Sequence, residues 1–137
     1  MYTASCLCGE IQLEIHQNID KIYVCHCRSC QKAQGAAFAA VAVIDKDQLQ
    51  IRQGQVALKQ FESSAGKHRV FCSQCGSPLW SQRDDLPALL RLRVGIINEV
   101  LNIPIYSHAY LAEKANWYML AESSAYRCDG KYMEPES

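Results

Sequence analysis

The chain has 137 residues, of which 49% are hydrophobic and 20% are charged, a composition typical of one globular domain that excludes wholesale disorder. Its 14 basic and 14 acidic residues cancel, which excludes a general electrostatic attraction to nucleic acid or to anionic membranes. The longest apolar run, residues 36–44, is too short to cross a membrane as a helix.

The hydrophobic pattern predicts short strands at fairly even spacing, which is typical of an antiparallel all-β domain. One short helix is expected from Arg28 to Ala33, ending near Gly35. The chain becomes polar from about Ala125, so we expect a domain over residues 1–125 and a loose tail over residues 126–137. The predicted strands are Ile11–Ile15, Lys21–Val24, Phe38–Ile44, Gln48–Arg52, Val56–Phe61, His68–Phe71, Leu79–Gln82 and Leu90–Val94.

The eight cysteines are the most informative residues of the chain. The N-terminus lacks the basic segment and apolar stretch of a signal peptide, so we expect a cytoplasmic protein, in which cysteine clusters more often bind metal than form disulfides. Seven cysteines are clustered and the eighth, Cys128, stands alone. The clusters are Cys6-Leu7-Cys8, Cys25-His26-Cys27-Arg28-Ser29-Cys30 and Cys72-Ser73-Gln74-Cys75.

The spacing within the clusters favours zinc. Thiolates one or two residues apart can reach one small cation, and zinc prefers four such ligands in a tetrahedron. Gly76, directly after the last cluster, allows the backbone to curl around a metal. A redox pair, an iron–sulfur cluster and buried free cysteines are the alternatives, and three clusters in one short chain disfavour the first and the last of these.

The cysteine count predicts two different zinc sites. The first and last clusters together offer four thiolates, which would make a closed, structural site. The middle cluster offers three, which leaves an open position for water or substrate, as catalytic zinc sites do. Cys128 either closes this second site or takes no part in it. The four-sulfur set is Cys6, Cys8, Cys72 and Cys75, and the three-sulfur set is Cys25, Cys27 and Cys30.

These motifs resemble the glutathione-dependent formaldehyde-activating enzyme family, which includes centromere protein V. The resemblance covers about residues 3–120 and implies an Mss4-like fold, also called a β-tent, with antiparallel sheets organised around zinc sites. It also implies a structural zinc on the four-sulfur set and a reactive zinc on the three-sulfur set, while Cys128 lies outside the family pattern. The matching positions are Cys6, Cys8 and Gly9, residues 25–30, 35–38, Gly54, Ser63, Ser64, residues 69–77, Val94, Gly95, Pro104, His108, Lys114 and Trp117.

The activity implied by the resemblance is the condensation of glutathione with formaldehyde to S-hydroxymethylglutathione, a carbon–sulfur lyase reaction. A zinc held by three thiolates is a poor Lewis acid towards water and is better suited to hold a substrate thiol as its thiolate. We therefore expect a small thiol substrate, with glutathione as the candidate, and catalytic roles for Cys25, Cys27 and Cys30. The alternative is a zinc-stabilised protein-binding module without catalysis; nucleic-acid binding is disfavoured because the chain has no basic run.

Two histidines lie in these motifs. His26 stands between two cysteines of the middle cluster and is expected to point away from their metal. His108 matches a family position and is either a proton carrier near neutral pH or, as we favour, a hydrogen-bonded structural histidine.

Overall fold

The computed structural model describes residues 1–131, so residues 132–137 of the predicted tail lie outside the described residues. This part of the chain is mainly β, as predicted, with short 3₁₀ turns and one α-helix. The strands are β1 Tyr2–Ser5, β2 Gln12–Ile15, β3 Ile22–Cys25, β4 Ala39–Asp45, β5 Leu49–Gln53, β6 Leu58–Ser64, β7 Lys67–Cys72, β8 Pro78–Arg83, β9 Leu86–Arg93, β10 Ile105–Ala109 and β11 Tyr126–Arg127. The helix α1 is Arg28–Gln34, and the 3₁₀ turns are Lys46–Gln48, Gln55–Ala57, Val94–Ile96 and Leu111–Glu113.

The chain divides into two compact units. The first unit contains residues 1–19 and 42–102, and the second contains residues 20–41 and the chain from residue 103 onwards. Strand β4 therefore has residues in both units.

The first unit contains two antiparallel arrangements of strands. Strands β1, β2 and β5 form a three-stranded sheet in which Leu13 pairs with Ala4 on one side and Ile51 on the other. Strands β6, β7, β8 and β9 follow one another as a meander, each paired with the next. Alternation in β2 buries Leu13 and Ile15 and leaves Gln12 and Glu14 partly exposed, because successive side chains of a strand point to opposite faces.

The second unit is built around strand β3. It pairs antiparallel with β4 on one side and parallel with β10 on the other, and β10 also pairs parallel with the short β11. A small apolar cluster of Cys30, Ala39 and Val41 is packed against Tyr23 and the two other cysteines of the middle cluster. The three cysteines therefore belong to the core of this unit.

Helix α1 has well-defined ends. Cys27 is the N-cap residue, and its sulfur accepts a hydrogen bond from the backbone N–H of Cys30 at 3.3 Å. The helix ends at Gly35, which adopts the left-handed conformation with φ 63°. This short helix therefore begins within the middle cysteine cluster and carries one of its members.

The predicted strands and helix are largely confirmed, with differences at particular positions. The helix extends to Gln34, and Val56 lies in a 3₁₀ turn, so that the predicted strand there begins only at Leu58. Strands β1, β10 and β11 have no counterpart among the predicted strands. Since β10 pairs in parallel with both neighbours while β3 pairs antiparallel with β4, the strand pairing in the second unit is mixed rather than purely antiparallel, as the expected antiparallel sheets would have it.

Part of the predicted polar tail is paired in the structure. Tyr126 and Arg127 form strand β11 beside β10. The N–H of Cys128 donates to the carbonyl of His108 at 2.9 Å, and the carbonyl of Gly130 accepts from the N–H of Tyr110 at 2.7 Å. These hydrogen bonds attach residues 126–130 to the second unit.

None of the helices in the described residues has both the length and the apolar character needed to cross a membrane.

Gly54 provides a test of the first unit. It has φ +88°, and a Cβ on it would approach the carbonyl oxygen of Glu10 and lie 2.8 Å from the Cα of Ile11. Because both neighbours are backbone atoms, Gly54→Ala should reduce the free energy of unfolding by about 2–4 kcal/mol. Chemical denaturation measures this change.

Gly95→Ala is the matched control, because no heavy atom lies within 4 Å of a Cβ built there. It should leave stability within about 1 kcal/mol of the unsubstituted protein. Equal stability of the two variants would contradict the tight approach at Gly54.

Candidate metal centres

The structure brings the first and last cysteine clusters together in the first unit. The sulfur atoms of Cys6, Cys8, Cys72 and Cys75 all lie within 4.8 Å of one another. Measured separations are 3.6 Å between the sulfurs of Cys6 and Cys8 and 3.9 Å between those of Cys8 and Cys72. Zinc–sulfur bonds of about 2.3 Å in a tetrahedron place the sulfurs about 3.8 Å apart, so this group fits a zinc ion.

The backbone around the four sulfurs is shaped as a metal-binding loop. Cys72 is the last residue of β7, and after Cys75 the chain turns at Gly76, where φ is +79°. The N–H of Gly76 donates to the carbonyl of Cys72 at 2.8 Å, as the sequence led us to expect of a glycine that closes the turn. The N–H of Gln74 donates to the sulfur of Cys72 at 3.4 Å. The backbone of residues 72–76 therefore curls around the Cys72 sulfur.

Ser77 connects the two loops that supply these sulfurs. Its hydroxyl accepts a hydrogen bond from the N–H of Leu7 at 2.9 Å and lies 3.2 Å from the sulfur of Cys75. The hydroxyl and backbone of Ser77 together lower the pKa of Cys75 to about 5. Cys75 is therefore prepared to act as an anionic ligand.

The middle cluster forms a separate group in the second unit. The sulfurs of Cys25, Cys27 and Cys30 lie within 4.8 Å of one another. Cys25 is the last residue of β3, Cys27 caps α1 and Cys30 lies inside the helix. A strand end and a helix start thus hold three sulfurs on a segment of six residues, and within residues 1–131 no fourth cysteine, histidine or carboxylate completes this group.

These three thiols crowd one another. Hydrogen bonds with the thiols of Cys27 and Cys30, followed by burial, raise the pKa of Cys25 far above its usual range. Three thiolates cannot all be ionised side by side unless a cation offsets their charge. A soft divalent cation such as zinc fits this donor set, because it binds thiolates in their ionised form.

His26 is not part of the group, as expected from its position between two cysteines. Its fully buried ring nitrogen Nε2 lies 2.9 Å from Nδ1 of His108, which is also buried. The rings of Phe38 and Tyr118 lie 5.5 and 6.0 Å from the His26 ring. Burial, followed by the charges of His108 and Lys114, lowers the pKa of His26 to about 4.

His108 is hydrogen-bonded in the interior, which agrees with the structural role that we favoured for it. Burial, followed by the charge of Arg127, lowers its pKa as well. Both imidazoles are therefore neutral near pH 7, and the N–H of one ring donates a hydrogen bond to the unprotonated nitrogen of the other across 2.9 Å.

Cys128 belongs to neither sulfur group among the described residues. Its backbone pairs with His108 and Leu111, through N–H and C=O respectively. This cysteine therefore stays a predicted non-ligand of the three-sulfur group.

The sequence did not single out a third group, formed by Glu62, His68 and Asp84. Nε2 of His68 lies 3.0 Å from the carboxylate of Asp84 and 3.7 Å from that of Glu62. The register that pairs Glu62 with His68 across a hairpin is the signal that could have suggested it. Both carboxylates are exposed and engaged with the imidazole, so we assign no metal to this group.

Known families and proteins contain relatives of this chain. The family model described as glutathione-dependent formaldehyde-activating enzyme matches residues 1–119. A protein of Aspergillus flavus named "Putative glutathione-dependent formaldehyde-activating enzyme" is 26% identical over 114 residues, which cover 82% of this chain and 53% of that protein. One of the same name from Podospora anserina is 32% identical over 80 residues, 57% of this chain and 38% of that protein. The chain thus spans about half, or less, of the length of these relatives.

A crystal structure of a Rhodobacter sphaeroides protein has a similar fold. The TM-score is 0.61 at 22% sequence identity, and the match covers 73% of this chain and 91% of that one. The predicted class, a mainly β fold that brings the cysteine clusters together, is confirmed.

Cys72→Ser tests the four-sulfur group. The substitution removes one of four ligands from a site that joins segments 64 residues apart, and such metal binding is coupled to folding. We expect loss of about one equivalent of zinc and a loss of about 4 kcal/mol or more in unfolding free energy. Metal analysis and chemical denaturation measure the two effects, and unchanged zinc content with unchanged stability would refute the assignment.

Cys128→Ser makes the same chemical change outside both groups. Because the Cys128 sulfur lies in neither group, zinc stoichiometry should stay the same and stability should change by less than about 1 kcal/mol. Release of a zinc ion from this variant would show that Cys128 is a ligand and that the three-sulfur site is closed.

Proposed function

The chain belongs to the glutathione-dependent formaldehyde-activating enzyme family, and we propose that it is a zinc-dependent carbon–sulfur lyase acting on small thiol adducts. The proposed reaction adds the thiol of glutathione to formaldehyde to give S-hydroxymethylglutathione, or makes a related adduct. The observation that supports it is the contrast between a complete group of four sulfurs and a separate group of three.

We assign the two groups to two zinc ions with different roles. Cys6, Cys8, Cys72 and Cys75 would hold a structural zinc, since four protein ligands leave no position for a substrate. The three-sulfur group would hold a second zinc with one position open, as in catalytic sites. We place the catalytic role on these three ligands, Cys25, Cys27 and Cys30.

The donor set favours a thiol substrate. When bound, a zinc ion supplies stabilisation of a substrate thiol in its thiolate form. Three cysteine sulfurs give the site a net negative charge, which weakens its ability to activate water and makes hydrolysis the less suitable chemistry. The N–H of Cys30, which donates to the sulfur of Cys27, withdraws part of that charge.

The proposed chemistry is an addition that conserves all atoms. The thiolate sulfur bonds to the carbonyl carbon of formaldehyde, the carbon–oxygen π bond opens, and the oxygen takes up the proton that the thiol released. Nothing is oxidised or reduced. The contribution of the protein is to hold the thiolate beside the electrophile, so that a bimolecular step becomes an intramolecular one.

The same chemistry suggests the setting in which the protein works. Seven clustered cysteines must stay reduced to bind metal, so we propose a reducing compartment, the cytoplasm. The zero net charge offers no attraction to nucleic acid, and a small thiol is the partner that we propose.

Cobalt(II) substitution tests the open position. Thiolate-to-cobalt charge-transfer absorption reports each sulfur bound to the metal, so glutathione that enters the site should change the spectrum of the cobalt-loaded protein. S-Methylglutathione, which has no thiol, is the matched control and should leave the spectrum unchanged. A spectrum insensitive to glutathione would overturn the enzyme proposal and favour a zinc-stabilised protein-binding module.

Cys27→Ala should weaken metal binding at the three-sulfur site while the protein stays folded. The variant loses one of three ligands and the N-cap acceptor of α1, and the cap accounts for a stability loss of about 1 kcal/mol. We expect loss of up to one equivalent of zinc, loss of the glutathione-dependent spectral change and a folded circular dichroism spectrum. Unfolding as extensive as that of Cys72→Ser would contradict the division into structural and reactive sites.

A further inference from the structure

Gln31 is a buried polar residue directly after the third cysteine of the three-sulfur group. Only 6% of its surface is exposed, although it lies in a seven-residue helix whose other polar side chains are mostly exposed. Its side-chain amide makes three hydrogen bonds within the second unit. Nε2 donates to the carbonyl of His26 at 2.8 Å and to that of Glu113 at 2.9 Å, and Oε1 accepts from Nη1 of Arg28 at 2.7 Å.

These partners require an amide. Two carbonyl oxygens face Nε2 and a guanidinium faces Oε1, so the side chain uses both of its N–H donors and one acceptor. A glutamate would place an oxygen against both carbonyls, and a methionine would offer no donor at all. The amide orientation is thus fixed by its surroundings.

The hydrogen bonds of Gln31 link the two parts of the three-sulfur group. The carbonyl of His26 lies in the chain between Cys25 and Cys27, the two ligands outside the helix interior. Gln31 itself follows Cys30, the ligand within the helix. One amide therefore ties the loop that carries two sulfurs to the helix that carries the third.

Glu113 also contacts the helix, through two hydrogen bonds. Its carbonyl accepts from Gln31, and its carboxylate oxygen Oε1 accepts from the N–H of Arg28, the first residue of α1, at 3.1 Å. The same residue thus holds both the N-terminus of the helix and the amide of Gln31. Backbone groups near a metal site that are fixed in this way set the positions of the ligands.

We propose that Gln31 is a positioning residue that sets the geometry, and hence the metal affinity, of the three-sulfur site. The inference rests on the proposed function in that it assumes a metal on Cys25, Cys27 and Cys30. It goes further because it assigns to a residue that carries no ligand atom the task of keeping three sulfurs in place while a fourth position stays open.

The test compares Gln31→Met, Gln31→Glu and the control Gln60→Met, which makes the same substitution at an exposed glutamine of β6. Gln31→Glu keeps an acceptor for Arg28 and loses the two donors. Competition with increasing concentrations of a chromophoric chelator measures the zinc affinity. After the protein is loaded with cobalt(II), its charge-transfer and d–d absorption bands are recorded.

We expect both Gln31 variants to lower the zinc affinity of the three-sulfur site by about 10–100-fold and to alter the cobalt spectrum of that site. The four-sulfur site and the Gln60→Met protein should behave as the unsubstituted protein does. If Gln31 has a purely structural role, the variants should have a lower melting temperature but the same metal affinity and cobalt spectrum at the three-sulfur site. That result would overturn the proposal.

The outcomes separate this inference from the proposed function. If the unsubstituted protein binds two metals and its cobalt spectrum ignores glutathione, the enzyme proposal fails while the loss of affinity in Gln31→Met still supports the positioning role. If Gln31→Met does not fold, Gln31→Glu decides by the same two readouts. A single zinc in the unsubstituted protein would overturn both proposals.

Discussion

Thiolates held within a few ångströms of one another repel, and this repulsion is the constraint on which the arrangement of both units depends. Seven of the eight cysteines lie in two groups whose sulfurs are within 4.8 Å of each other. Hydrogen bonds with the thiols of Cys27 and Cys30, then burial, and after these the charge of Cys30 all raise the pKa of Cys25, so its surroundings oppose its ionisation. A soft cation removes that penalty, because its positive charge attracts every thiolate and offsets the repulsion between them.

The two groups meet this constraint in different ways. In the first unit the four sulfurs come from loops that are far apart in sequence, so a metal there would close a long stretch of chain and would contribute to folding. In the second unit the three sulfurs lie between residues 25 and 30, and closing so short a segment restricts the unfolded chain far less. On the proposed assignment, the local set would therefore be the one that exchanges ligands without loss of the fold.

Much of this could be predicted because the decisive signals are local. The cysteine spacings, Gly76 and the alternation in β2 each act over a few residues, and each is found as predicted. Strand β10 was missed because it buries Ser107 and His108, so that its polar residues hide the usual hydrophobic pattern. Strand β1 was missed because its four residues, Tyr2–Ser5, show no clear apolar alternation.

Gln31 was missed for a related reason, and its buried hydrogen bonds suit the positioning role that we propose for it. A glutamine in a short polar helix is normally solvated, and nothing in the local sequence shows that its amide meets a carbonyl 82 residues away. The two residues of the buried His26–His108 pair are also 82 positions apart in the sequence. In a closed site the fourth ligand would help to fix the other three. In the proposed open site, the surrounding hydrogen bonds would have to fix the ligands, and the buried polar side chains of the second unit make such bonds next to the three sulfurs.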